Sequence, residues 1–448
     1  MEIYHIVILL GLLILSSHIF NALFSYTKIP NVLLLFIIGL IVGPIGGWID
    51  KSMFGEFGSV FTTITLIIIL FESGIGLKFK EIGRTIGGAT LITVINFLVT
   101  FILAALLANF LLRINWLGSV FLGAIIGGTS SAVVIPMVKQ LQLSNKSQSL
   151  LYLESALSDV LCLVVGLAVL EGMKLGALNI GGVFSIMWKS FLFALIIGLA
   201  GGFIWAVFLK KIRGLKNSMF TSFAIVFVLY GIVESLGFNG GISALSFGII
   251  LGNSEALNNI KLVKRAMKVP PFVGLNDHEK NFFGEIVFVL QTYFFVYIGI
   301  CIEFSSLWTY IVALIIVTLI ILTRPFTIRI LSKKGTTLRD VAITSIMSPK
   351  GLVAAVLASL PFQCGLIDGD KIQDLGFAVV LISIVICSAL VILISKDPVI
   401  FTKVYKHTKF DSEMEKIDQR IDSNPKKEND ILNNDLIDLN ENQNKNTP

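Results

Sequence analysis

Apolar residues do not alternate with polar ones along this chain. They run on for twenty or so positions before a charged, glycine or proline break. Crossing the hydrocarbon core as a helix takes about 20 such residues, because no water is present there to satisfy an open backbone. Barrel strands alternate, so the same runs exclude a transmembrane β-barrel. Thirteen runs read as spans, at approximately 4–25, 30–48, 58–77, 85–112, 117–138, 148–171, 184–209, 218–237, 240–253, 282–303, 306–330, 338–362 and 372–396, the ninth being short. Between the ninth and tenth lies "EALNNIKLVKRAMKVPPFVGLNDHEK", too polar to span; its first half suits a basic helix at the membrane surface. Residues 1–400 thus form a transmembrane domain. Residues 401–448 turn polar and nearly free of aromatics, as a disordered cytoplasmic tail does, and are too few for a nucleotide-binding regulatory domain.

Composition agrees with this. The 448 residues are 55% hydrophobic and 14% charged, where a soluble domain carries about a quarter charged residues. The net charge of +6 does not point to nucleic acid, because the basic excess lies between the spans: the tail holds ten acids against eight Lys and Arg. Loops after odd-numbered runs carry nineteen Lys and Arg, and those after even-numbered runs carry Lys51, Arg113, Lys174 and Lys371. That asymmetry puts the N-terminus outside and the C-terminus in the cytoplasm of a prokaryotic-type plasma membrane. The first run opens at Ile3 with no basic region and no cleavage site, so it reads as a span rather than a removed signal. Cys162, Cys301, Cys364 and Cys387 have no metal-like spacing and read as small core residues.

A carboxylate at the middle of a bilayer costs roughly 2.5–3.5 kcal/mol on insertion scales, so charges inside the runs call for a reason. Glu171, Glu234 and Glu303 fall at run ends, within reach of water. Glu72, Glu154, Asp159, Arg324 and Lys350 do not. Within "ESALSD", Ser155 and Asp159 are four apart and share a helix face, while Glu154 points about 100° away from Ser155. The shared face is all oxygen, which suits a hard cation. Glu154 is the natural partner for Arg324 in "LTRPFT". Two runs also read as broken helices: the fifth through "GGTSSAVVIP" and the twelfth through "TSIMSPKGLV". Backbone breaks at membrane depth are tolerated where they line a cavity or are buried in protein, and they point to a transporter site. Seven spans apart, the two breaks run in opposite directions, as an inverted repeat requires.

These pieces together resemble the sodium/proton antiporter branch of the monovalent cation:proton antiporter superfamily. The resemblance rests on "KIPNVLLLFIIGLIVGP", "LIIILFESGIGL", "GGTSSAVVIP", "ESALSD", "TRP" and "SPKGLVAAVLASLP", and covers about residues 5–396. It implies an all-α polytopic membrane protein of about thirteen helices in inverted repeats. A core domain (about 85–171 and 306–396) would hold the two discontinuous crossing helices, and a dimerisation domain (about 4–77 and 184–303) would make a homodimer. It implies Asp159 as the carboxylate that binds cation or proton in competition, with Ser155 and Thr129 as further cation ligands, Glu72 acting through water, and Glu154 paired to Arg324. The substrates would be Na+, with Li+ as a further cation, and H+; lipids surround the protein, and neither a cofactor nor an enzymatic activity is implied.

The chain departs from the family pattern at three places. Ser158 stands where Asn or Asp precedes the essential Asp, Thr129-Ser130-Ser131 replaces Thr-Asp-Pro, and Lys350 replaces Arg. The first two weaken the field of the site enough to admit K+. The third leaves Lys350 either neutralising helix ends or releasing a proton of its own. With one acid, one proton per cation and electroneutral exchange are expected. A K+/H+ antiporter and a cation channel or ion sensor on the same scaffold are the alternatives; an intramembrane hydrolase lacks a Gly-x-Ser-x-Gly context and a partner His at depth.

Overall fold

The computed structural model describes residues 8, 11–20, 22, 30–50, 55–77, 89–141, 143–174, 180–212, 219–254, 275–303, 306–331 and 338–396. The polar tail, the expected surface helix before residue 275, and most loop lysines and arginines used to orient the chain lie outside the described residues. The described residues are helical. In chain order the helices are α1 (Gly11–Phe20), α2 (Asn31–Leu40), α3 (Gly55–Gly76), α4 (Ala89–Leu112), α5 (Trp116–Ile126), α6 (Ser131–Gln140), α7 (Asn145–Lys174) and α8 (Ile180–Ile212). They continue as α9 (Met219–Ser235), α10 (Gly240–Gly252), α11 (Asp277–Cys301), α12 (Leu307–Leu331), α13 (Leu338–Ile346), α14 (Leu352–Gln363) and α15 (Gly369–Lys396). Eight segments among the described residues are long and apolar enough to cross a membrane; five shorter apolar helices accompany them.

Local signals set many helix starts. The Asn115 side chain accepts from the Gly118 amide at 2.8 Å to open α5, and Asn239 accepts from Ile242 at 3.0 Å to open α10. Asn276 and Glu279 form a reciprocal capping box at the start of α11. After α2 the helix continues as a π-turn over Ile41–Ile45, where Pro44 lacks an amide and Gly43 leaves helical geometry. The expected breaks are present, each narrower than the stretch that announced it. The fifth run opens at residues 127–130, and the helical backbone then continues unbroken from Ser131 through position 136 to Gln140. The twelfth opens at residues 347–351.

Phe71, Phe223, Phe247 and Phe283, from α3, α9, α10 and α11, pack edge-on or tilted with centroids 4.7–5.8 Å apart. Two helix crossings around this cluster match each other. Helix α2 lies on α11 and α3 lies on α10. A Cβ at Gly39 would land on the Val296 carbonyl and 2.8 Å from the Gly299 Cα. One at Gly74 would land on the Leu245 carbonyl and 3.0 Å from the Gly248 Cα. With no driving force from water between helices in lipid, such backbone-on-backbone approach is what small residues supply. The local sequences match too: "GLIVG" at 39–43 beside "GIILG" at 248–252, and "GIG" at 74–76 beside "GIC" at 299–301.

Candidate functional site

The two helix breaks meet. The Ser130 amide donates to the Pro349 carbonyl at 2.8 Å, and Gly351 sits so close to Ser130 that a Cβ there would overlap the Ser130 side chain. Each break is held by a serine from the helix after the broken pair. Ser158 Oγ, on α7, accepts from the Thr129 amide at 3.0 Å, and Ser383 Oγ, on α15, accepts from the Lys350 amide at 2.9 Å. Each hydroxyl donates its proton to a carbonyl three residues back, Ser155 at 3.1 Å and Val380 at 2.9 Å. Amides orphaned by a broken helix thus find partners without water. Ser158, in place of the expected Asn or Asp, is buried and spent on the backbone.

Lys350 is 1% exposed, and its ammonium donates to the Gly128 carbonyl at 2.7 Å and the Ser348 hydroxyl at 3.2 Å. Gly128 lies just past the C-terminus of α5, where the helix dipole favours a cation. Lys350 Nζ therefore sits on the end of the other broken helix.

Asp159 is half-buried and faces the start of α6. Among the described residues its hydrogen bonds come from Ser131, through the hydroxyl at 2.7 Å and the amide at 3.4 Å, both onto Oδ2. Glu72, on α3, is exposed. Ser155, expected to turn its hydroxyl toward Asp159, is fully buried and donates to the Tyr152 carbonyl at 3.1 Å. The exposed position one turn before Asp159 is instead Ala156. Sharing a helix face placed the Ser155 Cβ, and local back-bonding then decided where its hydroxyl points. Thr129 is 3% exposed, and its amide is the one held by Ser158.

Glu154 and Arg324 do meet, as a buried fork-to-fork pair with both N–O distances at 2.7 Å. Asn96 Nδ2 donates to Glu154 Oε1 at 2.9 Å, the Thr327 hydroxyl bonds Asn96 Oδ1, and Arg324 Nε donates to the Thr344 carbonyl at 3.0 Å. One network therefore ties α4, α7, α12 and α13. Two further carboxylates, unremarked in the sequence reading, fasten the outer ends of the broken helices. Asp368 accepts from the Asn115 amide at 2.9 Å and side chain at 3.0 Å. Asp340 accepts from Ser147 at 2.9 Å and from the Ser144 hydroxyl. Cys364 is exposed, against the expectation of a core residue; Cys162, Cys301 and Cys387 are buried.

The family profile for the transmembrane region of sodium/hydrogen exchangers matches residues 10–396. The chain belongs to this family. The chain is similar in fold to the sodium proton antiporter MjNhaP1 of Methanocaldococcus jannaschii, with a TM-score of 0.68 and 21% identity over 87% of this chain and 100% of that one. The curated Na(+)/H(+) antiporter 1 of that organism is 24% identical, over 80% of this chain and 83% of its own length. K(+)/H(+) antiporter NhaP2 of Shewanella sp. (strain ANA-3) is 24% identical, over 85% of this chain and 64% of its own. The chain thus spans under two thirds of that relative's length. Family and apolar helices make it an integral membrane protein of a cation/proton antiporter family, a class of transporters rather than enzymes.

Proposed function

We propose that this chain exchanges Na+ for H+ by alternating access, with cation and proton competing for Asp159. The observation that carries the reading is one half-buried carboxylate at the meeting point of two broken helices, beside a lysine whose ammonium is committed to the Gly128 carbonyl. Either load neutralises Asp159, so the moving part carries the same charge in both directions and exchange is electroneutral. Thr129 and Ser155 serve as ligands only by exchanging their present bonds to Ser158 and Tyr152, whereas Glu72 reaches the cation through water. The core spans would move against scaffold spans held in a homodimer, with the N-terminus outside. The matched Gly39–Gly299 and Gly74–Gly248 crossings support the inverted repeat this motion uses.

In proteoliposomes, Asp159→Asn is expected to abolish Na+-driven proton movement; full exchange in that variant overturns the assignment. Na+ flux without counter-moving protons would make the protein a channel. A rate that follows an imposed potential would count against electroneutrality, since a net charge couples at about 2.3 kcal/mol per 100 mV. K+ is the second reading. It is favoured by the hydroxyls of Ser130 and Ser158 where acid or amide side chains are expected, and by the relatives named as K(+)/H(+) antiporters.

A further inference from the structure

We infer that Ser131 is a selectivity-determining cation ligand that serves Asp159 in both of its loaded states; this rests on the reading of Asp159 as the exchange site. Ser131 is the first residue of α6, immediately after the break, and it is partly exposed beside the half-buried Asp159. Its hydroxyl and amide converge on one oxygen, Oδ2, at 2.7 and 3.4 Å, and among the described residues no hydrogen bond reaches Oδ1. A hydroxyl has one proton to give and two lone pairs. With the proton given to ionised Asp159, the lone pairs stay available, and the serine oxygen lies 2.7 Å from Oδ2, close enough for one bound cation to touch both.

When Asp159 is protonated, the same contact reverses: the carboxyl donates and the serine oxygen accepts. The serine therefore holds the carboxyl in place through the whole exchange. The two serine hydroxyls of α7 beside the break are already spent, Ser158 on the Thr129 amide and the Ser155 carbonyl, and Ser155 on the Tyr152 carbonyl. The backbone bonds that hold the break run through residues 129, 130 and 350, so position 131 is a place where the sequence can alter the ligand set without disturbing them.

The test is cation-driven proton movement in proteoliposomes for wild type, Ser131→Ala, Ser131→Thr and Ser131→Cys, across Li+, Na+ and K+. Losing one hydrogen-bond-strength contact should raise the half-saturating cation concentration by about two- to tenfold in Ser131→Ala. The increase should differ among the three cations, and Ser131→Thr should restore the wild-type value because it keeps the hydroxyl. Should the alanine variant fail to fold, Ser131→Cys keeps the volume and replaces a hard oxygen with a soft sulfur, so half-saturation should still rise. Unchanged half-saturation for all three cations in a folded Ala or Cys variant overturns the inference, and so does a fall in maximal rate alone. Cation-dependent thermal stabilisation of the purified variants reads binding directly and should weaken in the same order. Full exchange in Asp159→Asn would remove the exchange site itself. A silent Asp159→Asn with unaltered Ser131 variants removes only the serine.

Discussion

Glu154 and Arg324 show how a charge survives at membrane depth. Both side chains are nearly inaccessible, each oxygen has its own guanidinium nitrogen at 2.7 Å, and Asn96 and the Thr344 carbonyl take the remaining capacity. Removing one partner leaves the other buried and unpaired, which costs about 3–5 kcal/mol. Glu154→Gln is therefore expected to lower the melting temperature of the purified protein markedly, whatever it does to transport. Asn96→Ala should cost about 1–3 kcal/mol by leaving one carboxylate oxygen short of a donor. The two effects should be non-additive, because both act on one network; a wild-type melt for Glu154→Gln would refute the structural role. The ionic partners were legible in the sequence because a charge in an apolar run is expensive and must be answered. Asn96, Thr327 and Ser131 were not, because neutral polar groups are cheaper to bury and their bonds depend on which helix happens to face them.

The broken helices are held at both ends, in the middle by Ser158 and Ser383 and at their outer ends by carboxylates. The sequence announced each break through its glycine, serine and proline content, and each opening falls within the stretch so marked but is shorter. The proline that closes "GGTSSAVVIP" does not end the helix: the chain opens over the four residues before Ser131, and the helical backbone runs on through position 136. The fasteners were invisible, since they join residues some 200 to 250 positions apart. Asp368 gives this scale a pH dependence. Burial pushes its carboxyl upward, but the Asn115 amide, the Lys371 ammonium at 3.0 Å and the Asn115 side chain outweigh it, so it lies below the usual Asp value. A depressed carboxyl contributes stability above its unfolded value, about 3.9, and loses it as pH falls through the folded value. Asp368→Asn is thus expected to melt below wild type at neutral pH, with the gap closing as the pH is taken below 4. A gap that is constant with pH would show that the ionised carboxylate is not what holds Asn115.

At the scale of the whole molecule, the class of protein followed from the apolar runs alone, because the bilayer sets a minimum length that soluble folds do not share. Which runs touch did not follow. The paired "GLIVG" and "GIILG" segments are short and ordinary, and become informative only when the helices bring Gly39 onto Gly299 and Gly248 onto Gly74. If those crossings are equivalent parts of one repeated plan, equal insults should have equal consequences. Gly39→Leu and Gly248→Leu each push a side chain into a facing carbonyl, of Val296 and Phe71 respectively, and neither backbone can yield without moving a helix. Overpacking of this kind costs about 1–3 kcal/mol or more. Both variants are expected to lower the melting temperature by similar amounts, while Gly11→Leu, with nothing within 4 Å of its Cβ, should melt as wild type. Neither crossing includes Asp159 or Ser131, so the folded fraction of each variant should keep the wild-type half-saturating cation concentration in proteoliposomes. A large difference between the two melts would break the equivalence, and a shifted half-saturation would mean that these crossings also set the geometry of the proposed cation site.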